Sequence, residues 1–152
     1  MFYPTALHEN FKAVMKEEFE MNNMGLLRYF LDIEVEQSGN EIFISQEKYV
    51  NEVSERFNMQ DNKVEITPIV IGLKLSKKYS NKDFGPSLYK NIVVSLMYLT
   101  ATRPDIMHAV RLIPRFMERP KEAHWQVAKR ILTYVKGTKG FGILYTVQNV
   151  QI

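Results

Sequence analysis

Residues 124–138, HWQVAKRILTYVKGT, decide the fold of this 152-residue chain. Val127, Ile131, Leu132 and Val135 recur at helical spacing and can be buried as one stripe. Lys129, Arg130 and Lys136 project away from it. Gly137 follows the last apolar residue, where helices commonly end in a left-handed turn. The stretch therefore reads as an amphipathic helix with a basic face, packed in a helical C-terminal half.

Working outward toward the N-terminus, Pro120 opens this helix. Ile106, Met107, Val110 and Ile113 continue an apolar stripe before it. Pro104 suits a first helical position and Asp105 a first turn. Pro114 interrupts the stripe, so a kink or an early end is expected near Arg111. Ile92, Val93, Leu96, Met97 and Leu99 make a broadly apolar, buried helix starting near Ser87. Residues 59–86 hold Pro68, Gly72, Gly85 and Pro86, with lysines at 74, 77, 78 and 82 among others, and read as a connector loop.

The front of the chain differs in period. Residues 8–20 place Phe11, Val14, Met15 and Phe19 on one helical face, and Gly25 closes a turn after them. Residues 28–36 alternate apolar and charged as one strand, with Phe30 out of phase. The turn at residues 37–40, with Gly39 and Asn40, leads into Ile42, Phe43 and Ile44, a hairpin signal. Ser45 caps a following helix whose stripe is Tyr49, Val50, Val53 and Phe57, ending near Asn58. Residues 141–145 suit a short strand. The expected class is α+β: an N-terminal helix and β-hairpin, then a mainly helical bundle. The expected divisions are 1–58, 59–86 and 87–152. A lone hairpin is marginal without further strands or a covering helix.

Composition narrows the function. There is no cysteine, which excludes disulfides and thiolate metal sites and fits a reducing compartment. No run of about 18 apolar residues predicts a membrane span, and no secretory signal is visible at the start. The net charge of +3 is uneven. Residues 1–66 carry 6 Lys+Arg against 13 Asp+Glu, residues 67–102 carry 5 against 1, and residues 103–152 carry 9 against 3. A basic C-terminal third can attract a phosphate backbone.

Four blocks in order resemble a Ty1/copia-type reverse transcriptase. They are FEMNNMGLLRYFLDIEVEQSGNEIFISQEKYVNEVSERFNM, VEITPIVIGLKLSK, SLYKNIVVSLMYLTATRPDI and RFMERPKEAHWQVAKRILTYVKGT. The resemblance implies the end of the palm, a variable connector, a helical thumb and the approach to the connection region. It implies a primer-positioning hairpin at Tyr29, Phe30 and Leu31. It also implies a thumb gripping an RNA–DNA duplex through its backbone, for which Arg103, Lys129, Arg130 and Lys136 are the candidates. Arg103 has a second reading, a local ion pair with Asp105. His124 lacks a second ligand at metal spacing. Trp125, Tyr98 and Tyr134 read as packing residues.

Polymerase chemistry needs clustered carboxylates holding two divalent ions, Mg²⁺ in the full-length parent. The four aspartates, Asp32, Asp61, Asp83 and Asp105, are isolated in sequence. The expectation is a catalytically inactive fragment of a Pol polyprotein with no cofactor or metal site, whose partners in the parent are the rest of that polyprotein. The alternative is a nucleic-acid-binding module without sequence preference. Several positions depart from the family pattern. Asp32 stands for a glycine on a strand position facing the primer, Val94 for a glycine inside the buried helix, Ile71 for a proline, and Pro114 for a helix-tolerant residue. Such changes look like drift.

Overall fold

The computed structural model describes residues 5–19, 26–70, 72, 75 and 82–146. Helix α1 spans Thr5–Glu18, and strands β1 (Tyr29–Phe30), β2 (Ile33–Ser38) and β3 (Glu41–Ser45) follow. Helix α2 is Glu47–Arg56 and α3 is Pro86–Leu99. A 3-10 turn at Pro104–Ile106, the short α4 (Met107–Val110) and a second 3-10 turn at Ile113–Phe116 lead to α5 (Glu122–Gly137) and β4 (Gly142–Thr146). The class is α+β, as the periodicities predict. Gly25 and Ile71 lie outside the described residues.

The core is helical. Tyr49, Val50, Val53 and Phe57 of α2, Tyr89, Ile92, Val93, Leu96 and Leu99 of α3, and Val127, Ile131, Leu132 and Val135 of α5 are buried together. Each fully buried aliphatic or aromatic side chain contributes about 1.5–3 kcal/mol of transfer free energy. The stripes read from the sequence are thus the faces that meet, and α2 joins a core built mostly from residues beyond the connector. Trp125 stacks on Phe84 with ring centroids 4.6 Å apart, as a packing anchor. Two expectations about α3 fail. Met97 is exposed, and Val94 is 53% exposed, so its branched side chain points to solvent and crowds no helix contact.

The stripe after α3 is broken where Pro114 stands. Helix α4 ends at Val110, and Pro114 enters the second 3-10 turn. Helix α5 begins two residues later than Pro120 suggests, with Lys121 at its N-cap and His124 Nδ1 accepting the Lys121 backbone N–H at 3.0 Å. Gly137 is not the left-handed stop expected of it. It is the last helical residue, and a Cβ there would lie 2.0 Å from Val64 Cγ1. The glycine is needed because the connector passes against the helix. Asn58 supplies the left-handed end for α2, at φ 52°. Its N–H bonds to Glu55 O and the Met59 N–H to Ser54 O, which satisfies two terminal carbonyls and folds Met59 into the core.

The strand read over residues 28–36 is two strands. Leu31 and Asp32 adopt φ 46° and 57° and reverse the chain, pairing Phe30 with Ile33. Two successive positive φ values match the twist of a tight hairpin. This explains why Phe30 falls out of phase. It also corrects the placement of Asp32, which occupies a turn that favours glycine and not a strand position facing a primer. Ser45 does not cap α2. It closes β3, and Gln46 takes the N-cap without a side-chain bond.

The hairpin is not left alone. Strand β4 pairs antiparallel with β3, giving the order β1-β2-β3-β4. Val35, Ile44 and Ile143 fall in one row across it. At the entry to β4, Gly142 lies opposite Ser45 and beneath the Phe43 ring. A Cβ on Gly142 would stand 2.1 Å from Ile44 O and 2.8 Å from Phe43 Cζ. Among the described residues helix α1 gives none to the core: Leu7, Phe11 and Val14 are exposed, as is Phe19 just beyond it. Among the described residues no helix is long and apolar enough to cross a membrane.

Gly142→Ala must displace backbone, not a flexible side chain, so it should destabilise the chain by about 1–3 kcal/mol in urea unfolding. A variant as stable as the parent would mean that β4 does not approach β3 as described.

Candidate nucleic-acid interface

The residues read as phosphate contacts split by what they already hold. Arg103 is 1% exposed. Its Nε and Nη2 donate to Asp105 Oδ1 and Oδ2 at 3.0 and 2.7 Å, and its Nη1 and Nη2 donate to Thr138 O and Oγ1 at 3.0 and 2.6 Å. The ion-pair reading of Arg103 is the one its geometry matches. Asp105 also accepts from the Tyr134 hydroxyl at 3.0 Å. Partial burial pushes the Asp105 carboxyl upward, but the hydrogen bonds and charge of Arg103, helped by Tyr134, outweigh it and hold the group below the usual carboxylate range.

Lys136 uses all three ammonium donors on one loop, reaching Met59 O, Gln60 O and Asn62 O at 3.2, 2.7 and 2.6 Å. The ammonium thus gathers three carbonyls of the loop that follows α2. Arg130 binds Glu65 at 2.8 Å and Thr67 Oγ1 at 3.1 Å, and its buried Nε has no hydrogen-bond partner. The basic face of α5 therefore fastens the connector. Lys129, half-buried, makes no hydrogen bond from its ammonium to a described residue. It borders a 230 Å³ hollow lined by Met59, Asn62, Lys63, Glu65 and Gln126.

The hairpin residues come together at an exposed tip. Tyr29, Phe30 and Leu31 are 43%, 59% and 67% exposed. The Tyr29 hydroxyl donates to Asp32 Oδ1 at 2.9 Å, and that bond raises its pKa, so it remains a donor at neutral pH. Lys48 lies over the Tyr29 ring at 4.8 Å, and the Tyr98 hydroxyl donates to Leu31 O, anchoring the tip to α3. The adjoining 430 Å³ groove is lined by Arg28, Lys48, Glu34 and Glu36 among others, so opposed charges balance there. The tip is thus held on the helical body from one side and open on the other.

His124 is buried and stacked on Phe116, with centroids 3.8 Å apart. Among the described residues no three His, Cys, Asp or Glu side chains gather in a way that could hold a metal ion. Arg111, Arg115 and Arg119 are exposed and stand outside the sequence-derived set. Their four-residue spacing is the signal that points to them.

A family model described as reverse transcriptase (RNA-dependent DNA polymerase) matches residues 5–71. The chain is 38% identical over 138 residues to the retrovirus-related Pol polyprotein from transposon TNT 1-94 of Nicotiana tabacum, covering 85% of this chain and 10% of that protein. It is 39% identical over 140 residues to the Pol polyprotein from transposon RE1 of Arabidopsis thaliana, covering 92% of this chain and 10% of the relative. An uncharacterized mitochondrial protein of Arabidopsis thaliana is 37% identical over 130 residues, which is 53% of its length. The chain thus spans about a tenth of the Pol polyproteins it resembles. No solved structure matches.

Arg103→Met should lower stability by about 1–3 kcal/mol in urea unfolding, because Thr138 O loses its donor while the part-exposed Asp105 keeps only Tyr134. An effect below about 1 kcal/mol would mean that the buried fork is not formed. The Asp105 contribution has a definite sign with pH. Its pKa is lowered on folding, so the stabilisation is complete above the ordinary aspartate value of 3.8 and is lost as pH falls through the lowered one. Thermal melts should therefore drop in that acid window more steeply for the parent than for Asp105→Asn. Parallel curves would refute the assignment.

Proposed function

The chain belongs to the Ty1/copia-type reverse transcriptases, and from that premise we propose that it is a non-catalytic piece of such an enzyme, one that holds nucleic acid without joining nucleotides. The observation that carries the non-catalytic reading is the dispersal of the aspartates. Asp32 lies in the β1–β2 turn, bonded to Tyr29. Asp83 pairs with Lys121 at 2.6 Å and Asp105 with Arg103 at 2.7 Å. Asp61 is in the turn that follows α2. Two-metal nucleotidyl transfer needs carboxylates converging on ions about 4 Å apart. These four are carried by separate elements, and two of them are neutralised by cations. Among the described residues no carboxylates gather as a Mg²⁺ pair would require, which supports the reading.

The binding half of the reading is favoured by the way the helices support themselves. Their core takes no residue from the strands among those described, so α2, α3 and α5 can present a fixed surface. The last fifty residues carry the basic excess. Backbone contacts by cations are what hold a duplex irrespective of its sequence. The relatives are long Pol polyproteins, and the rest of such a polyprotein would be the setting in which this piece works.

With Mg²⁺, a primed RNA template and nucleotides, incorporation should stay at background. Incorporation above background would overturn the non-catalytic reading. A labelled RNA–DNA duplex should bind at low salt and be released steeply as salt rises. Absence of binding at low salt would overturn the binding reading.

A further inference from the structure

A cation already bonded inside the fold cannot neutralise a phosphate without first giving up that bond. Arg103, Arg130 and Lys136 are in this position. Arg111, Arg115 and Arg119 are not. They follow one another at intervals of four residues, after α4, in the second 3-10 turn and in the bend before α5. All three are exposed, while Ala109, Val110, Ile113 and Phe116 between and before them are buried. That alternation leaves the three arginines on the solvent side of a segment whose inner side packs into the core.

Beside the row lies a 220 Å³ indentation lined by Arg115, Phe116, Glu118, Arg119 and Lys121. Lys121 is bound to Asp83 at 2.6 Å, which leaves Arg115 and Arg119 as the cations facing the space. Neither they nor Arg111 hydrogen-bond or ion-pair with a described residue. Arg119 is close enough to Asp83 to add to the effect of Lys121 in holding that carboxyl below its usual range. Glu118 is the opposing charge in the indentation.

We propose that Arg111, Arg115 and Arg119 form the row by which this chain grips a nucleic-acid backbone, Arg115 and Arg119 sharing one phosphate in the indentation and Arg111 taking a neighbour. The proposal rests on the duplex-binding reading and moves its surface from the basic face of α5 to the segment before it. Guanidiniums suit the task because their planar fork matches phosphate oxygens and stays charged at any working pH.

The test is fluorescence anisotropy of a labelled RNA–DNA duplex against the full chain, from about 0.05 M to about 0.2 M salt. The triple variant R111Q/R115Q/R119Q should bind at least about tenfold more weakly, and its log–log salt slope should be shallower by about 2, one unit per phosphate no longer neutralised. Glu118→Gln should bind a few-fold more tightly because a like charge facing the phosphate is removed. Tighter binding by E118Q cannot arise from misfolding. If the parent binds and the triple variant binds equally well, the placement is overturned while duplex binding stands. If the parent does not bind at low salt, both fall together.

Discussion

A buried guanidinium organises this molecule. Among the described residues Arg103 is the largest side chain fully withdrawn from solvent, and its fork ties the turn after α3 to the end of α5. The residue before it, Thr102, donates to Gln46 Oε1 at 2.8 Å, at the junction of β3 and α2. The Arg103 guanidinium also lies 5.4 Å from the Phe141 ring, one residue before β4. Helix end, strand start and hairpin exit therefore meet around one cation. A positive charge without water is tolerable only when its donors are matched, and here Asp105 and Thr138 match them. Displacing any of these elements would leave that charge exposed to apolar neighbours.

The same logic governs the basic face of α5. Lys136 and Arg130 look like a ligand surface in a helical projection, because a projection shows direction and not what lies in it. The connector lies in it. Its carbonyls and Glu65 meet these cations, and Val64 rests against Gly137 where a side chain would collide. Charge counting located the basic third of the chain correctly. Whether a given cation is free depends on contacts between residues 60 to 80 positions apart, which no local pattern encodes.

That difference sets what was legible. The stripes of α2, α3 and α5 were readable because burial repeats with the helix period, and the interruption at Pro114 because proline removes a backbone donor. The β2–β3 turn was readable from Gly39 and Asn40. The Leu31–Asp32 reversal was not, since Leu31 is a rare occupant of left-handed backbone, no glycine accompanies Asp32, and the alternation around them continues almost unbroken. The role of Gly137 was misread for a related reason: a glycine at a helix end signals a turn or a close neighbour equally well. Of the candidate surface, exposure of the hairpin tip and the pairing of Arg103 were within reach of sequence reasoning. The arginines at 111, 115 and 119 were obscured by the proline within their row.

Strand β4 completes the sheet with residues lying about a hundred positions beyond their partners, Tyr145 opposite Ile42. On the ribosome, at about 5–20 residues per second, β3 would wait roughly 5–20 s for its second neighbour. Throughout that interval the Ile42–Phe43–Ile44 edge would be open to any other extended chain. The newborn polypeptide is thus most vulnerable to mispairing before its last helix has emerged.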